Sequence, residues 1–257
     1  MELLNPSEYW TQMSNRSVFM RTLFANVTPI IARDMKLFSK DPLRQSFDQL
    51  GNAHERFLKS LVDRIGNLSQ YFEDVFLTLT FLRAEKSKTS LLYDELIDPE
   101  RYYKYHYENF QIRMVTELDI CAKLGNALFE LNISERSMTP YKFYADQRMA
   151  DQPSAMTLME FANYLDNIKQ DRHRKVHQGI SKENKFDKVV FWETFIKAMG
   201  KTPEEHDMVL LEWTQTQIIN VLSEINEVVR QPIGYVVRFL DSCLPQLERI
   251  LLTHENS

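Results

Sequence analysis

From Leu43 to Leu79 an apolar side chain returns at about every third or fourth position, through Phe47, Leu50, Phe57, Leu58, Leu61, Ile65, Leu68, Phe72, Val75 and Phe76. The same spacing runs from Tyr103 to Leu131 through Tyr107, Phe110, Met114, Leu118, Cys121, Leu124 and Leu128. That period places side chains along one face of an α-helix, whereas on a strand it would scatter them over both faces. Glycine supports the same choice, since only six occur in 257 residues. A β-rich chain of this length needs more turn glycines, so the scarcity predicts long helices with few connections. No alternating run of strand length competes, and the expected fold is all-α, an up-and-down helical bundle.

Cap and stop signals divide the pattern. Pro6 to Lys40 is mixed and predicts one or two short helices. Ser39-Lys40-Asp41-Pro42 reads as a start, with Asp41 as cap and Pro42 in the first turn, for a helix reaching about Lys86 that Gly51 and Gly66 would bend or break. Asp98-Pro99-Glu100 repeats the signal for a helix ending near Leu131. A loop is expected from Ser134 to Pro153. Thr157-Leu158-Met159-Glu160 has the form of a capping box opening a third helix that Gly179 ends. Helices follow at Phe186–Met199 and Pro203–Arg230, and Pro232 is expected to open a last one, interrupted by Pro245. Residues 1–95 are read as an N-terminal helical region packed on a core formed by residues 96–257, the whole being one continuous domain.

Cys121 and Cys243 are the only cysteines, too few for a disulfide framework or a zinc cluster, and Cys121 is expected to be a small buried hydrophobe. No run of apolar residues is long enough to span a membrane, and the N-terminus lacks a leader pattern, so a cytoplasmic location is expected. The net charge of −5 argues against nonspecific coating of nucleic acid. Its distribution is uneven. Seven basic residues against three acidic ones between Lys169 and Lys188 give a local +4, leaving −9 for the remainder. A basic island on an acidic chain suits a local anionic ligand, and it equally suits a solvated helix end whose lysines complement the helix dipole.

Inside that island lies Asp171-Arg172-His173-Arg174-Lys175-Val176-His177. Arg172 continues the apolar line Leu158, Phe161, Leu165 and Ile168, where a guanidinium is costly unless an anion meets it. The anion is either a protein acid such as Glu108 or Asp119, or a substrate phosphate. An arginine that holds phosphate beside an imidazole that moves a proton near neutral pH is a set sufficient for phosphodiester cleavage without a metal. His173 and His177 share a helix face at metal-ligand spacing. However, no glutamate follows the first histidine, and the cations Arg174 and Lys175 oppose a divalent ion, so neither metal nor cofactor is expected. Spacing alone is weak, because Arg101…His106 and Arg249…His254 repeat it. Only Arg172 is followed at once by a polar ring late in an amphipathic helix, and His254 is expected in a frayed tail.

Arg172-His173-Arg174-Lys175-Val176-His177 resembles the motif of the HEPN superfamily, an arginine followed by four to six residues and then histidine. The run Tyr103 to Arg113, continuing to Asp119, is similar to the upstream helix of a bacterial branch of that superfamily. The resemblance covers about residues 98 to 230 and implies a HEPN-like core with extra N-terminal helices, dimerising so that two motifs face each other. It implies a metal-independent endoribonuclease with catalytic residues Arg172, His177 and His173. Asn167, Lys169, Arg174 and Lys175 would bind substrate, and Glu108, Arg113 and Asp119 would support the site. The alternative it carries is a non-catalytic bundle binding a protein or nucleotide partner, such as a nucleotidyltransferase acting as antitoxin. This chain has histidine where asparagine more commonly follows the arginine.

Overall fold

The computed structural model describes residues 13–40, 47–83, 99–166 and 208–255, together with Thr11, Ile168, Gln170, Phe195 and Ala198; of these, the side chains of residues 99–104 and of most of residues 208–230 are not described. Among the described residues there is no strand, and the fold is an all-α helical bundle. Its helices are α1 (Val18–Phe38), α2 (Ala53–Arg83), α3 (Pro99–Leu128), α4 (Pro140–Tyr144), α5 (Pro153–Tyr164), α6 (Met208–Ser242) and α7 (Leu244–Glu255). Two compact units emerge. One is drawn mainly from Glu73–Val115 and Leu165–Gln231, the other from Glu2–Phe72, Thr116–Tyr164 and Pro232–Ser257.

In the second unit α1 is a single helix of 21 residues, longer than the short pieces expected, and it runs through Pro29. An internal proline removes one hydrogen bond at a cost of about 3 kcal/mol. Burial of Phe19, Met20, Leu23 and Val27 offsets it, at roughly 1.5–3 kcal/mol per large side chain. The helix start is capped twice. Ser17 Oγ accepts from the Met20 amide, and Asp241 of α6 accepts from Ser17 Oγ at 2.7 Å and from the Phe19 amide at 3.1 Å.

The start of α2 lies at Ala53, not at Asp41. Asn52 Oδ1 accepts from the Glu55 amide and Glu55 Oε2 from the Asn52 amide, both at 2.9 Å, which is a reciprocal capping box. Gly51, with φ +83°, makes the turn into it, while α2 continues without a break through Gly66, which faces open space. Behind this entrance lies a buried ion network. Lys59 donates to Asp34 Oδ2 at 2.8 Å and to the carbonyls of Phe47 and Leu50, pinning the entry turn to α1 and α2. Burial pushes the Asp34 carboxyl up, but the Lys59 and Arg33 cations outweigh that and hold it below the usual carboxylate range.

The end of α3 is a Schellman motif. The Leu131 amide bonds to Asn126 O and the Glu130 amide to Ala127 O, with Glu130 in the left-handed region at φ 49°. Upstream, Gly125 lies against the ring of Phe143 from α4. A Cβ there would sit far inside van der Waals contact with that ring. Phe143 in turn meets Phe129 and Phe239 edge-on. The expected loop at 134–153 thus contains α4 and a 3₁₀ turn at Gln147–Met149.

Two other boundaries differ from expectation. Thr157 does not cap α5; it lies inside the helix, with Oγ1 donating back to Pro153 O, and the helix starts at Pro153. Pro232 does not open a helix either. α6 runs through it to Ser242, and burial of Pro232, Ile233, Val236, Phe239 and Leu240 accompanies that passage. The break comes at Cys243, ahead of Pro245. In the first unit Val75, Phe76 and Leu79 of α2 and Tyr107, Phe110 and Met114 of α3 are buried.

Candidate functional site

Ahead of the basic segment the helical pattern is interrupted: α5 ends at Tyr164 and Leu165 is a turn, where the sequence predicts one helix running on to Gly179. Leu158, Phe161 and Leu165 are fully buried, Ile168 is half-buried, and Asp166 and Gln170 are exposed, with Gln170 Nε2 donating to Asp166 Oδ2 at 2.6 Å. Arg172, His173, Arg174, Lys175 and His177, and with them Asn167 and Lys169, lie outside the described residues.

The supporting residues fall on α3. Glu108 and Arg113 are both half-buried, and Arg113 is committed to an ion pair with Asp74 of α2. Asp119 is half-buried as well. Glu108 and Asp119 stand eleven positions apart, about 16 Å of helical rise, so the three do not form one cluster. Between Glu108 and the helix start, His106 stacks on Phe81 at 4.9 Å and meets Tyr105 edge-on at 5.2 Å. Burial lowers the His106 pKa from its ordinary value and favours a neutral ring. The other Arg-x4-His spacings thus belong to helices: Arg101 and His106 on α3, Arg249 and His254 on α7. His254 is inside α7, which continues to Glu255, and not in a frayed tail.

One group escaped the sequence reading. Glu117, placed there among the charged residues interleaved with the α3 stripe, is fully buried, and neither carboxylate oxygen has a hydrogen-bond partner. Burial raises its pKa well above the ordinary value and so favours the protonated acid. Cys121, one turn on, and Cys243 are both free and fully buried, which raises both thiols. The signal for Glu117 was present in the spacing. Tyr107, Phe110, Met114, Glu117, Cys121, Leu124, Leu128 and Leu131 alternate steps of three and four without a break, and Glu117 occupies a seam position.

Among the described residues no group of three or more His, Cys, Asp or Glu side chains could hold a metal ion, and no helix is long and apolar enough to cross a membrane. Comparison with protein-family models, curated proteins and solved structures finds no match for the chain.

Proposed function

We propose that the chain is a metal-independent endoribonuclease of HEPN type. The observation that carries the reading is the Arg172-x4-His177 segment, set in a basic stretch of an acidic chain. The all-α fold supports it, because the superfamily it resembles is helical throughout.

In this reading His177 takes the proton from a ribose 2′-hydroxyl. The 2′-oxygen then bonds to phosphorus as the bond to the 5′-oxygen breaks, and the leaving oxygen takes up a proton. The products are a 2′,3′-cyclic phosphate and a 5′-hydroxyl end. Arg172 neutralises charge that builds on the equatorial oxygens, which is the larger contribution expected of such a site. His173 orients or assists His177. Asn167, Lys169, Arg174 and Lys175 hold the flanking backbone, and a homodimer brings two motifs to one cleft.

Purified full-length protein is expected to cut single-stranded RNA in EDTA and leave cyclic phosphate ends. His177→Ala is expected to lower the rate by at least about a hundredfold, the ordinary contribution of a positioned acid–base, with an unchanged melting curve. Equal cleavage by the variant rejects the assignment. No cleavage by the wild type, together with a stable complex with a nucleotidyltransferase, replaces it with partner binding.

A further inference from the structure

The second unit contains a cavity of about 420 Å³ that the nuclease reading does not use. Its wall is built where four elements end or begin. The Schellman turn of α3 contributes Phe129 and Leu131, the 3₁₀ turn contributes Arg148 and Met149, and the first turns of α5 and α7 contribute Gln152 and Gln246. Ser242, Pro153, Pro245 and Arg249 complete it, and no acidic side chain lines it.

The two arginines differ. Arg148 is fixed: it forms a bidentate pair with Asp146, whose pKa falls to about 2, and donates to Leu131 O at 2.9 Å. It shapes the wall, and its charge is neutralised in place. Arg249 is on the exposed side of α7, and its guanidinium makes no hydrogen bond or ion pair among the described residues. A guanidinium presents a planar fork of donors that matches a carboxylate or phosphate in two parallel hydrogen bonds. The lining also includes Phe129, Met149 and two prolines, and the starts of two twelve-residue helices add partial positive charge.

We propose that this cavity binds a small amphipathic anion, a carboxylate or phosphate carried on an apolar body of about ring size, with Arg249 clamping the head. The volume falls within the few hundred Å³ typical of small-molecule sites, and the lining combines the Arg249 cation with apolar side chains. The site is independent of the motif at Arg172 to His177, so each reading can fail alone.

Isothermal titration of the full chain tests it with benzoate, phenyl phosphate, inorganic phosphate and neutral benzamide. At least one of the two aromatic anions is expected to bind at millimolar concentration or tighter, and whichever is preferred assigns the head group. Inorganic phosphate is expected to bind at least about tenfold more weakly for lack of a body, and benzamide likewise for lack of charge. Arg249→Gln is expected to weaken the aromatic anion by about tenfold or more while leaving the melting curve in place. Gln152→Trp, which fills the mouth, is expected to abolish binding. No binding of either aromatic anion, equal binding by Arg249→Gln, or equal binding of benzamide overturns the proposal.

Discussion

Among the described residues two acids lie fully buried, and they are treated in opposite ways. Asp34 on α1 meets the Lys59 ammonium and the Arg33 guanidinium, and it is held ionised. Glu117 on α3 meets no hydrogen-bond partner at either oxygen and is held neutral. The first arrangement ties three segments together, because Lys59 also satisfies the carbonyls of the turn at residues 47–50. The second contributes no bond and replaces what would otherwise be one more apolar side chain in a seam. A buried charge is therefore structural where its partners also close a turn, and dispensable to stability where they do not. Glu117 stays polar at a stability cost, and nothing in the packing around it requires a carboxyl group.

The comparison is broken most forcefully at Lys59. Lys59→Met removes the ammonium from Asp34 and from two carbonyls at once, and urea unfolding is expected to show a loss of about 3–5 kcal/mol, the range for breaking a buried pair. A loss below about 1 kcal/mol would show that the entry turn needs no ionic clamp.

At Glu117 the sign reverses. Glu117→Met is expected to stabilise by about 1–3 kcal/mol, because it removes unpaired polar atoms and keeps the side-chain volume. The pH profile sharpens the point. A carboxyl whose folded pKa lies above its ordinary 4.5 gives full stability below that value and loses it as pH rises toward the folded pKa. Relative to Glu117→Gln, the wild type is thus expected to lose about 1.4 kcal/mol per pH unit above 4.5 until Glu117 ionises. Asp34 acts in the other direction: its contribution is present above 3.8 and is lost as pH falls through its depressed folded value. Parallel profiles for the wild type and Glu117→Gln between about pH 5 and about pH 8 would remove Glu117 from the comparison.

The smallest effect is expected at Arg33, whose side chain is 48% exposed although it touches both Asp34 and Glu55. Arg33→Gln is expected to shift the urea midpoint far less than Lys59→Met, since solvent screens the exposed half of the network. A shift as large as that of Lys59→Met would make Arg33 the principal counter-ion.

The apolar spacing alone foretold the bodies of α2 and α3, down to Leu58, Leu61, Ile65, Leu68, Phe110 and Leu124, all of them buried. Ends were harder, because signals compete. Asp41-Pro42 reads as the start of α2, but the helix begins after Asn52, where the Asn52 and Glu55 side chains satisfy each other's amides. The proline signal misled at Pro232, where apolar burial along the helix outweighs one missing hydrogen bond. The orphan acid was overlooked because the apolar line was drawn through Leu118, while the three-four alternation also places Glu117 on the inner side of α3. For the candidate nuclease site the burial of Leu158, Phe161 and Leu165 was legible, while the turn at Leu165 was not, since no glycine or proline marks it. That Arg113 would be claimed by Asp74 was not, since a pair thirty-nine positions apart leaves no mark in local spacing.

Gly125 and Phe143 form a peg and a notch. The aromatic peg from a five-residue helix drops into a gap that exists only because one residue of α3 lacks a side chain. So short a helix cannot hold itself in place, and its position is borrowed from the notch. Sequence drift along the connecting stretch can re-route the chain freely so long as the ring still arrives. A single methyl group at the notch evicts it, even though alanine is the better helix former by about 1 kcal/mol.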